Sequence, residues 1–142
     1  MHKQLIKDFL SFAKKADVIL MATSNPSGVN HVAPAGIIEY DSDSDSVTVT
    51  EWFCPKTVAN LHENLNISIV LWKLKLDCGY QVEGRLIDVH IAPVKSAADR
   101  SNPKRPAQFC KKLLVKVYTI SEFSEAPHSD ENLLNTQKRD TA

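Results

Sequence analysis

The residues best equipped for chemistry in this chain stand together in EWFCPKTVANLHEN, residues 51–64. There the alternating run SVTVTE gives way to a short helical pattern, and Lys56 and Thr57 follow directly behind Pro55. A helix start leaves its first amide N–H groups unpaired and carries positive partial charge, so it suits an anion. Proline is favoured at the first helical position, where its missing N–H removes nothing. Lys56 adds a point charge and Thr57 a hydroxyl, so several donors converge on a volume that fits a phosphate dianion. Three charge-assisted hydrogen bonds at about 1.5–3 kcal/mol each reach roughly 5–9 kcal/mol, against about 8 kcal/mol for micromolar binding. Association also costs several kcal/mol, so a phosphate needs an attached apolar group that is buried with it. The motif is not a Walker A loop, which needs glycines that are missing between Gly36 and Gly79. Taken by itself, the same pattern also describes an ordinary capped helix with a solvated lysine.

Cys54 lies two residues before Lys56, beside the same amide-rich helix start, which lowers a thiol's pKa and raises its thiolate fraction. A redox-reactive group and a small apolar filler are both open readings of it. Cys54, Cys78 and Cys110 are odd in number, widely spaced and without a CxxC pair, which argues against a disulfide scaffold or a zinc site. No metal centre is expected.

These residues need a frame. Leu5, Ile6, Phe9, Leu10, Phe12, Ala13 and Ala16 recur at three- and four-residue spacing and predict an amphipathic helix over 3–16. DVILMATS reads as a buried strand over 17–24, closed by the turn signal NPSG. VNHVAPAGIIEY reads as one strand that Pro34 and Gly36 interrupt or bulge, because proline cannot donate to a ladder. In SVTVTE, Val47 and Val49 share one face and Thr48 and Thr50 the other. In the short helix, Val58, Leu61 and Leu65 form the inward stripe, and Thr57, Asn60 and Asn64 a polar one. NISIVLWK, GYQVEGRLIDVHI with a bulge at Gly84, and KKLLVKVYTISEF complete the strands. APVKSAADRSNPKRPAQFC reads as a helical turn and loop, and the chain beyond Ser124 is polar without periodicity. The expected architecture is mainly β: a six-stranded antiparallel split barrel, Greek-key-like, with an N-terminal helix and short helices between strands, over residues 1–123, followed by a tail over 124–142.

Composition narrows the partners. One chain of 142 residues fits a single core. Lys plus Arg equal Asp plus Glu at 17 each and the cations are scattered, which excludes an electrostatic footprint for nucleic acid or an acidic membrane. No apolar run has signal-peptide or membrane-spanning length, and a cytoplasmic protein is expected.

Taken together, ATSNPSGVNHVAPAGIIEY, the strand ending in VTVTE, KTVANLHEN and GYQVEGR resemble the pyridoxamine 5'-phosphate oxidase-like family of FMN-binding split barrels, over roughly Val18 to Val89. The resemblance implies FMN as cofactor, with its phosphate on Lys56 and Thr57, and with ring and ribityl contacts on His31, Val32, Ala33, Pro34, Val49, Thr50 and Trp52. Asn60, one turn after Lys56, reads either as a cofactor-site residue that orients that lysine or as a plain surface residue. His31 reads either as a group that tunes the flavin or as a half-buried structural residue. The family also implies a homodimer with a flavin at the subunit interface. The C-terminus SEAPHSDENLLNTQKRDTA carries no match to the arginine-and-histidine segment of the true oxidases. The implied function is therefore a flavin-dependent oxidoreductase of another substrate; a flavin carrier or electron-transfer protein, and a deazaflavin-dependent reductase, are the alternatives.

Overall fold

The computed structural model describes residues 3–51, 54–93 and 109–123. Most of the segment expected as a turn and loop, the whole polar tail, and Trp52 lie outside the described residues. The elements run α1 (Lys3–Ala13), β1 (Val18–Ser24), β2 (Asn30–Pro34), β3 (Ile38–Asp41), β4 (Ser46–Glu51), α2 (Pro55–Glu63), β5 (Asn66–Lys73), β6 (Cys78–Pro93) and β7 (Phe109–Phe123).

Seven strands form one antiparallel sheet in the order β2-β1-β5-β6-β7-β4-β3. The six-stranded expectation fails at VNHVAPAGIIEY, which is two strands, and these occupy opposite edges of the sheet. Pro34 ends β2, since it has no N–H to give to a further rung. The next amides then divide their allegiance: Ala35 donates to Ile19 on β1 and Gly36 to Thr50 on β4, each at 2.9 Å. The chain between the two edge strands thus crosses from one end of the sheet to the other. β2 and β3 do not pair with each other, and the sheet is not a closed barrel.

The apolar periodicity of α1 does what it predicts. Phe9 is fully buried, and Phe9 and Phe12 meet the Tyr80 ring edge-on with centroids 6.1 and 5.2 Å apart. Beneath them, Met21, Val49, Ile69, Leu71, Val82 and Val115 build the core from strand positions two apart. The register of β6 on β7 shifts at Glu83/Gly84, as the glycine in that strand implied. A Cβ at Gly84 would stand 2.5 Å from the Lys116 carbonyl oxygen, so the two strands come this close only because it has none.

Candidate functional site

β4 delivers the chain to α2, and the handover is built from side chains on both sides of it. The period-two rule that turns Val47 and Val49 inward also turns Glu51 inward, and its side chain is fully buried. One carboxylate oxygen, Oε1, accepts from the backbone N–H of Cys54; the other, Oε2, is buried and has no hydrogen-bond partner among the described residues. Cys54 then takes the N-cap position of α2 in extended conformation, and Pro55 opens the helix. Serine, threonine, aspartate or asparagine usually caps this position through a side-chain oxygen. Here the cap is a sulfur, and no side-chain cap hydrogen bond forms.

The helix's orphan donors can be counted one by one. Glu51 satisfies the Cys54 amide, Pro55 has none, and Val58 donates to the Cys54 carbonyl at 3.2 Å. Among the described residues the Lys56 amide has no acceptor, and the Thr57 amide lies against the Cys54 sulfur. The Lys56 side chain is exposed and makes no hydrogen bond or ion pair among the described residues. Thr57 is the opposite: its residue is 1% exposed, and Oγ1 is buried without a hydrogen-bond partner.

The Cys54 thiol is held in a field that favours its anion. The hydroxyl and amide of Thr57 and the ring of His31 lower its pKa from the ordinary 9.0 to about 7, with the Thr57 hydroxyl the largest influence and burial opposing. The Thr57 hydroxyl is near enough to the sulfur to favour its anion, and Oγ1 has no hydrogen-bond partner among the described residues. His31 on β2 brings Nε2 to 3.2 Å from Cys54 Sγ. Sequence reading placed His31 and Cys54 separately; nothing in the spacing of 23 residues announces that they touch.

The other candidates scatter around this centre. On β2, Val32 is 57% exposed and Pro34 is exposed, while Ala33 is buried. Val49 points into the core, and its side chain is fully buried. Thr50 is also fully buried, and its Oγ1 accepts from Lys112 Nζ at 2.7 Å. Asn60 does not orient Lys56: it is buried and donates through Nδ2 to Thr23 Oγ1 on β1 at 3.1 Å. The expected polar stripe of α2 is therefore not a solvent face, because Thr57 and Asn60 pack inward with Leu61 while Leu65 lies at the surface. Glu51 was missed altogether, although extending the Val47–Val49 alternation by one step points to it.

A cavity of about 350 Å³ lies elsewhere, bounded by β1, β2, β5, β6 and β7, and none of the residues expected to hold FMN lines it. Its lining includes Asn30, Asn66, Ser68 and Glu83 but no cation. For a dianion the start of α2 is the better seat, since it combines a lysine, the positive end of a helix and a hydroxyl unpaired among the described residues.

No family model matches the chain, and no curated protein does. Solved structures do. An FMN-binding protein from Syntrophomonas wolfei subsp. wolfei superposes with a TM-score of 0.63 at 17% identity, covering 86% of this chain and 88% of that one. A pyridoxamine 5'-phosphate oxidase-related, FMN-binding protein from Nostoc punctiforme gives 0.58 at 9% identity, over 90% and 86% of the two chains. An F420 reductase gives 0.57 at 14% identity, over 80% and 95%. The chain has the fold of these proteins, and the fold is consistent with the pyridoxamine 5'-phosphate oxidase-like family that its motifs resemble. Among the described residues no helix is long and apolar enough to cross a membrane.

Proposed function

We propose that this chain is an FMN-binding flavoprotein that grips the cofactor's phosphate at the start of α2, works as a homodimer, and serves as an oxidoreductase. The observation that carries the reading is the Thr57 hydroxyl, fully enclosed and unpaired among the described residues, at a helix start beside an uncommitted lysine. An orphaned buried hydroxyl costs stability, and a phosphate oxygen would remove that cost while accepting from the Lys56 amide and ammonium. FMN would supply hydride and electron chemistry when bound. The exposed Val32 and Pro34 on the edge strand β2 offer apolar surface for a flat ring.

A second copy has a plausible seat as well. Val89 and Ile91 are 43 and 70% exposed on the face of β6 that they share with Leu113 and Lys111 of β7, past the register shift at Leu86/Asp88, and Ile87 and Phe109, which pairs with Pro93, are 50 and 53% exposed. An apolar strip of this kind is what a two-fold partner covers. The assignment is tested by the absorption spectrum of the purified protein and the mass of the extracted cofactor. A flavin spectrum with FMN in the extract supports it. A deazaflavin in the extract moves the protein to the alternative that the F420 reductase fold favours, and a colourless protein that ignores added flavin removes the proposal.

A further inference from the structure

The flavin reading gives the Cys54 thiol no role, and its contact with His31 makes a chemical unit of its own. We propose that Cys54 is a nucleophilic cysteine that hydroperoxides oxidise to a sulfenic acid, with His31 as its proton partner and Thr57 as the residue that stabilises its anion. Three independent observations converge on the sulfur. His31 Nε2 lies 3.2 Å from Sγ, at the distance of a shared proton. The enclosed and unpaired Thr57 hydroxyl lies beside the same sulfur. Cys54 is half-buried, so a small oxidant reaches it, whereas Cys110 is fully buried. The charged and titratable groups on the elements around it are Glu51 at the end of β4, which binds its amide, His31 on β2, Lys56, His62 and Glu63 on α2, and Lys111 and Lys112 on the stretch of β7 paired with β4.

The step balances. The thiol proton passes to His31 Nε2, and the Sγ lone pair attacks one oxygen of the hydroperoxide. The S–O bond forms as the O–O bond breaks. Sulfur loses two electrons and becomes the sulfenic acid; the departing oxygen takes the proton from His31 and leaves as water or an alcohol.

Magnitudes select the readout. At pH 7 a thiol of pKa about 7 is half ionised, roughly fifty times more than one at the ordinary 9.0. Its intrinsic nucleophilicity is lower by about eightfold for the same shift, so the net gain in rate is only about sixfold. The midpoint of the pH profile is therefore a sharper test than the rate. Iodoacetamide alkylation of the full-length protein, as purified, is expected to reach half its limiting rate near pH 7 at Cys54, assigned against Cys54→Ser. His31→Gln and Thr57→Val are each expected to raise that midpoint toward the ordinary thiol range. After brief exposure to hydrogen peroxide, dimedone followed by peptide mass spectrometry is expected to label Cys54 ahead of Cys78 and Cys110.

A wild-type midpoint in the ordinary thiol range, or dimedone on Cys78 or Cys110 ahead of Cys54, overturns the proposal. The wild-type profile and labelling decide it even where a variant fails to fold. The measurements need no flavin, so a protein that binds none still reports on the thiol.

Discussion

The two ends of α2 are built on opposite principles. In its C-terminal half every polar side chain that turns inward has a partner: Asn60 donates to Thr23 and Asn64 to Ser24, each at 3.1 Å, and the Asn64 amide closes on the Asn60 carbonyl at 2.8 Å. At the N-terminal end Thr57 Oγ1 and Glu51 Oε2 are buried without partners, and Lys56 stands in solvent. The satisfied end fixes the helix on β1. The unsatisfied end carries unspent hydrogen-bonding capacity, which is what a binding site requires and what a purely structural helix would not keep.

This contrast can be broken from either side. The largest effect on the fold is expected at the satisfied end. Asn60→Ala strands the Thr23 hydroxyl, buried at 4% exposure, and should cost about 1–3 kcal/mol, read from the urea unfolding midpoint. Thr57→Val is expected to act in the reverse sense. It removes a buried hydroxyl that has no partner among the described residues, so below pH 7, where the Cys54 thiol keeps its proton, the flavin-free protein should keep its stability or gain up to about 1 kcal/mol, while FMN binding weakens. A loss of stability comparable to that of Asn60→Ala would mean that Oγ1 is satisfied after all.

The smallest effect is on the pH dependence of stability. The folded-state pKa of Cys54, about 7, lies below its ordinary 9.0, so the fold favours the thiolate. That contribution is complete above pH 9 and disappears as pH falls through about 7. Wild-type stability should therefore rise between these values relative to Cys54→Ser, and thermal melts across the range would show it. A parallel trend in both proteins would indicate that the thiolate is not stabilised by folding.

How much of this was legible in the sequence depends on the range of the interaction. Local patterns carried α1, β1, β4, β5 and the bulge at Gly84, because alternation, helical spacing and glycine act within a few residues. The break at Pro34 and Gly36 was equally visible. Its consequence was not, since sending β2 and β3 to opposite edges depends on Ile19 and Thr50, residues on strands that the local pattern cannot pair. The same limit hid the inward face of α2. Hydrophobic periodicity assumes that polar residues face water, but β1 presents hydroxyls at Thr23 and Ser24, so two asparagines and a threonine could turn toward the sheet. Lys56 and Thr57 were found because a helix start advertises itself locally. The His31–Cys54 contact was not, because it exists only once β2 and the start of α2 are brought together.

The central claim is that the start of α2 holds a phosphate, and FMN and riboflavin differ by that group alone. Fluorescence titration of the flavin-free protein with each, repeated on Lys56→Ala, tests it directly. The account predicts that FMN binds at least about a hundredfold more tightly than riboflavin, and that Lys56→Ala lowers that preference by about tenfold or more. Equal affinity for the two flavins, or a preference untouched by Lys56→Ala, would contradict it.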